Sequence, residues 1–120
     1  MTDVISSYTR EDALEDGQLV DVSKMAAEAG FRLPVAVTVG VWSDISKGIE
    51  EGTAPAGQSI EGRQWDVLHM AMLAARSNST ESMIKFKVII GRTTHTYWGI
   101  ISGEGQGGSA VLTIMRPEDY

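Results

Sequence analysis

The strongest helical period in the chain runs over residues 60–77, IEGRQWDVLHMAMLAARS. At 100° per residue, Ile60, Trp65, Val67, Leu68, Ala71, Met72, Ala74 and Ala75 fall on one broad arc, with Asp66, His69, Arg76 and Ser77 opposite. Met70 and Leu73 interrupt the polar side. Either the helix is gripped by core on two sides, or these two residues form a stripe that meets a partner. The first is the preferred expectation, because the chain carries enough elements to cover both sides. Trp42 and Trp65 are expected as core anchors, and Asn78 as the helix stop.

The period then switches from helical to alternating. MIKFKVII sets Ile84, Phe86, Val88 and Ile90 against Met83, Lys85, Lys87 and Ile89. THTYWGII sets Thr96, Trp98 and Ile100 against His95, Tyr97 and Ile101, and SAVLTIM sets Ala110, Leu112 and Ile114 against Val111, Thr113 and Met115. The turn-like connections GRT and SGEGQGG predict an antiparallel meander of three strands. Its inner face would carry Phe86 and Trp98 together, under the apolar arc of the long helix. The fold class expected is therefore α+β, a two-layer arrangement of a C-terminal three-stranded meander on a long helix.

The N-terminal third changes period several times. Thr9 is placed to cap a helix over REDALED, accepting from the N–H of Asp12 or Ala13, and Gly17 to stop it. QLVDV reads as an edge strand, and Ser23 as the cap of KMAAEAG, which ends at Gly30. Pro34 keeps Leu33 out of helix, VAV is extended, and Thr38 restarts a helix that Gly40 weakens. This segment is expected as an arm that wraps the core and buries Leu19, Val20, Val22 and Met25. Residues 51–59, EGTAPAGQS, are a loop, residues 1–7 are expected to be loose, and residues 1–120 to form a single domain.

Composition narrows the function classes. With no cysteine among 120 residues, disulfides, thiolate metal sites and a cysteine nucleophile are excluded. The formal charge of −6 works against an average attraction to a phosphate backbone and is compatible with a basic protein partner. No run reaches the roughly 18 apolar residues of a membrane span. MTDVISSYTRED has no basic or apolar leader pattern, so a cytoplasmic location is expected.

Candidate chemistry is sparse. Gly103, Gly105 and Gly108 satisfy G-x-G-x-x-G, but a strand follows where a dinucleotide site needs a helix, and Glu104 would repel phosphate. NST at residues 78–80 matches a glycosylation sequon without a secretory context. Asp66 lies three residues before His69, so the carboxylate could orient the imidazole as a base, although a surface histidine beside a carboxylate is the simpler reading. His69 and His95 with a carboxylate could in principle bind a metal, but no metal or other cofactor is expected. Lys85, Lys87, His95, Tyr97 and Thr113, expected on one sheet face, suggest a thin single-strand nucleic-acid platform in which bases stack on Tyr97.

The strings YTREDALEDGQLVDVS, EAGFRLPVAVT, RQWDVLHMAMLAAR and LTIMRPED, in this order, resemble a family of short bacterial, plasmid and phage proteins catalogued as a domain of unknown function. That resemblance implies small proteins that travel with mobile elements, accessory factors among them and inhibitors that bind a defence effector. It brings no catalytic residues. The function expected first is a non-enzymatic protein-binding module, a phage or plasmid accessory or anti-defence factor, using Met70 and Leu73 with His69. The alternatives are a nucleic-acid binder on the Lys85/Lys87/Tyr97 face, and a small enzyme or ligand-binding protein with His69 and Asp66 in a pocket. The partner expected is a protein of unknown identity, with nucleic acid less expected and no membrane.

Overall fold

The computed structural model describes residues 8–77 and 82–120. The expectations for residues 1–7, for NST and for Asn78 as a helix stop lie outside the described residues. The fold is mixed α+β, with helices α1 (Arg10–Asp16), α2 (Ser23–Ala29), α3 (Val39–Ser46) and α4 (Ile60–Ser77). Strands β1 (Leu19–Asp21), β2 (Val35–Thr38), β3 (Met83–Ile90), β4 (Thr93–Ser102) and β5 (Val111–Met115) form a five-stranded sheet in the order β1-β2-β5-β4-β3.

Local chemistry explains the element boundaries. The Asp12 N–H donates to Thr9 Oγ1, and the Asp12 carboxylate accepts the Thr9 N–H in return. Two donors orphaned at the start of α1 are thereby satisfied. Gly17 and Gly30 end α1 and α2 with φ of 80° and 110°, conformations that a Cβ disfavours. Thr38 Oγ1 accepts from the Val41 N–H at the start of α3. Ser23 departs from expectation. It is the first residue of α2 rather than its cap, and its hydroxyl donates to Asp21 and accepts the Val35 N–H, tying α2 to β2.

The sheet is wider than the expected meander. The N-terminal segment does not wrap the outside of the core: it supplies two strands, β1 at one edge and β2 inside. β2 pairs antiparallel with β1 and parallel with β5, Val35 beside Leu112 and Val37 beside Ile114. Val35, Ala36 and Val37 are all buried. A run apolar at every position is what a strand covered on both faces requires. Val22 is buried as expected, whereas Leu19, Val20 and Met25 are only partly covered.

On the core face, Val35, Val37, Ile84, Phe86, Val88, Ile90, Tyr97, Leu112 and Ile114 meet Ala26 of α2, Val41 and Ile45 of α3, and Val67, Leu68 and Ala71 of α4. Trp42 packs on this cluster from its margin. Gly99 sits opposite Ile84, whose side chain fills the space a Cβ would need: that Cβ would lie 2.8 Å from Ile84 Cγ1.

Two expectations about sidedness are overturned. Phe86 pairs with Tyr97, and Trp98 pairs with Lys85, so Phe86 and Trp98 lie on opposite faces. The cause is the hairpin loop, which holds two residues, Gly91 and Arg92, and pairs Ile90 with Thr93. Counting GRT as a three-residue turn shifts the register by one, and a one-residue shift exchanges the faces of every side chain. The long helix, in turn, is gripped from one side only. Leu68 is fully buried, whereas Trp65, Met70 and Leu73 are 39%, 37% and 42% exposed. Trp65 is no core anchor; its indole stacks on the His69 ring at 6.2 Å.

The G-x-G-x-x-G segment forms the connection from β4 to β5, with a short 3-10 turn at Gln106–Gly108 and a strand after it. No helix of the described residues is long and apolar enough to cross a membrane.

Candidate functional site

β3 is the last strand of the sheet, and its phase decides what it shows on its free side. The Ile101 N–H donates to the Ser82 carbonyl at 2.8 Å. In an antiparallel ladder, mutually bonded pairs alternate with unbonded ones. The bonded pairs are therefore Ile84 with Gly99, Phe86 with Tyr97 and Val88 with His95. The backbone N–H and C=O groups of Lys85, Lys87 and Ile89 consequently point away from β4. Among the described residues, no strand pairs with that side.

Beside this edge runs a groove of about 440 Å³ lined by Asp66, His69, Met70, Lys87, Val88, Ile89 and Thr94. α4 forms one wall, and Ile89, 65% exposed, stands at the lip. Leu73 continues the Met70 row one turn further along α4. Past Ile89 a second hollow, lined by Trp65, Asp66, Ile89 and Gly91, carries the groove toward the hairpin tip. On the outer face of the sheet, the Lys85 ammonium lies 5.0 Å from the Trp98 ring centroid, and Trp98 meets Tyr120 edge-to-face at 5.3 Å.

Of the residues singled out in the sequence, Asp66, His69, Met70 and Lys87 come together in the groove; Leu73 follows Met70 along α4, and Lys85 lies on the outer sheet face against Trp98. His95 and Tyr97 do not join them. They project to the core face and belong to a separate polar cluster, so Tyr97, 1% exposed, cannot stack a base, and it shares no face with Lys85 and Lys87. His69 and His95 line different clefts. Among the described residues no group of three His, Asp or Glu side chains could hold a metal ion.

Asp44 of α3, which sequence reasoning passed over, is the hub of that second cluster. Arg116 donates to it through Nη2 at 2.6 Å and Nε at 3.1 Å, Tyr97 donates through its hydroxyl at 2.8 Å, and His95 Nδ1 lies 3.5 Å away. Gly40 gives Arg116 its passage, since a Cβ there would lie 3.2 Å from Arg116 Cδ. Burial raises the pKa of Asp44, but the hydrogen bonds from Arg116 and Tyr97 and the neighbouring positive charges outweigh it, and the net shift is downward. Burial and the bond to Asp44 push the Tyr97 phenol up. The only sequence signal for this cluster was the polar spacing within VWSDIS, which does not distinguish a hub from a solvated acid.

On the far side of the sheet, Arg10 of α1 donates to Thr113 Oγ1 and to the Leu112 carbonyl. Burial lowers its pKa. This contact lines an open cleft of about 420 Å³ between α1 and the outer sheet face.

The chain belongs to a family of unknown function (DUF6573), whose model it matches over residues 1–120. Neither the curated proteins nor the solved structures yield a match.

Proposed function

We propose, from this geometry, that the protein is a binding module that takes an extended, acidic segment of a partner protein as a sixth strand along β3. The carrying observation is an eight-residue edge strand whose outward backbone groups meet no other strand among the described residues, set beside an apolar groove walled by a helix. Strand addition uses such a frame: main-chain hydrogen bonds give affinity, and the flanking groove selects alternate side chains. On the α4 side Met70 and Leu73 offer apolar area for one face of the incoming strand, and Ile89, on the outer face with Lys85 and Lys87, offers it for the other.

Charge selects the occupant. Lys85 and Lys87 lie on the outer face of the edge. Antiparallel pairing of two copies about Phe86 would set Lys85 opposite Lys87 twice, and pairing about Lys87 would set it opposite itself. Like charges directly opposite are destabilising, and edge lysines guard a sheet against its own kind. The same two lysines favour a strand with acids at alternate positions. The net charge of −6 suggested a basic partner, but the edge carries the opposite local sign. A role as a mobile-element accessory or anti-defence factor is compatible with this mode, in which a small protein blocks an effector by pairing with one of its acidic segments.

The test is peptide-display selection on the wild-type chain, with Lys87→Pro as the counter-target. Proline removes an outward N–H while leaving the β3–β4 ladder intact, a position edge strands tolerate. The expected result is a set of peptides that bind the wild type, carry acids at every second position, lose at least about tenfold in affinity on Lys87→Pro, and weaken as salt rises. Selected peptides that bind both proteins equally, or a selection that enriches basic peptides, would overturn the proposal.

A further inference from the structure

We infer a second binding site, for a phosphate-type oxyanion, at the tip of the β3–β4 hairpin. It rests on Arg63. This residue is only 6% exposed, and among the described residues its charge has no carboxylate partner. Nε donates to Gln58 Oε1 at 2.8 Å, and Nη1 donates to the carbonyls of Ile45 at 3.1 Å and Lys47 at 2.7 Å. Those acceptors are neutral. The ion pairs of the described residues both belong to Asp44. Nη2 has no hydrogen-bond partner among the described residues, leaving part of a five-donor guanidinium unused. A buried charge without a counter-charge is costly, and an anion bound from outside would offset that cost.

The surroundings fit such an ion. Arg63 lines a cleft of about 250 Å³ with Lys47, Thr53, Arg92, Thr93 and His95. Nη2 reaches the hairpin tip, 3.4 Å from where a Cβ would sit on Gly91. The glycine, at φ 65°, both makes the turn and leaves that nitrogen open. Lys47 and Arg92 add two positive charges at the rim, and Thr53 and Thr93 offer hydroxyls. Asp44 also lines the cleft, but its oxygens are engaged by Arg116 and Tyr97. Three cations around one small cleft favour an ion of more than one charge over a monocarboxylate. The volume lies below the roughly 300–1,000 Å³ of sites for drug-sized ligands. The ligand proposed is free phosphate or a small phosphomonoester. This site adjoins the end of the β3 groove, since Arg63 and Gly91 also line the hollow beside Ile89, but the inference does not rest on strand addition.

The test is titration of the isotope-labelled full chain with inorganic phosphate, glycerol phosphate and acetate at constant ionic strength, following the Arg63 and Arg92 Nε–Hε signals and the Gly91 amide. Saturable shifts with phosphate or its ester are expected, and the tighter of the two identifies the free ion or the esterified group. The double variant Lys47→Gln/Arg92→Gln changes exposed residues only and keeps Arg63 and its carbonyl contacts. It should weaken phosphate at least about tenfold. Shifts that acetate matches, or no saturable shift in the wild type, would overturn the site.

Discussion

At the scale of single residues, burial and hydrogen bonding decide what each side chain does, and the least conspicuous ones carry the most. Asp44 is held charged by Arg116 and Tyr97. A carboxyl whose folded pKa is depressed contributes stability that is present above its ordinary value of 3.8 and is lost as pH falls through the lower folded value. Urea unfolding followed from pH 7 to pH 2 should show a loss of stability on the acid side that Asp44→Asn reduces. Asp44→Ala should cost about 1–3 kcal/mol at pH 7, since the buried Tyr97 hydroxyl loses its acceptor and the partly exposed Arg116 loses its carboxylate. Gly99→Ala should destabilise by about 1–3 kcal/mol in the same assay, because its methyl would collide with Ile84. The sequence displays the caps at Thr9, Gly17, Gly30 and Thr38, since each rests on a neighbour a few residues away. It does not display Asp44 and Arg116 as partnered groups, because they lie 72 residues apart, nor Arg63, whose acceptors are a glutamine five residues back and two backbone carbonyls that no residue type announces.

At the scale of elements, α4 and the β3–β4 hairpin show where periodicity suffices and where it fails. The 3.6-residue pattern delimits α4 at Ile60 and Ser77. It cannot tell a two-sided core helix from a one-sided helix with an exposed apolar row, because Met70 and Leu73 read alike in both. Thermal unfolding of alanine variants separates the two. Leu68→Ala, at a fully buried position, should cost about 2–5 kcal/mol. Met70→Ala and Leu73→Ala should each change stability by no more than about 0.5 kcal/mol. Alternation likewise delimits β3, but the faces of β4 depend on whether the turn holds two residues or three. A glycine followed by arginine and two threonines fits either count, and that one residue separates a buried Tyr97 from an exposed one.

At the scale of the whole molecule, the decisive feature is that β2 enters the sheet between β1 and β5. Its parallel pairing joins segments about 77 residues apart in sequence, Val35 with Leu112. No local pattern encodes such a partner; VAV announces only that both faces are covered. With β1 and β2 on one side of β5, the sheet has a short three-residue edge at β1 and a long eight-residue edge at β3. The groove residues were legible as residue types, but their convergence was not, since it follows from β3 being outermost. The long edge, with its lysines and helix wall, is the edge proposed to take an incoming strand.

Amide hydrogen exchange of the free protein tests that edge most directly, residue by residue along β3. The account predicts strict alternation: slow exchange at Ile84, Phe86 and Val88, bonded to β4, and fast exchange at Lys85, Lys87 and Ile89, which face outward. Addition of a selected acidic peptide should then slow the second set. Protection of Lys85, Lys87 and Ile89 in the free protein would contradict the account, because the edge would already be taken.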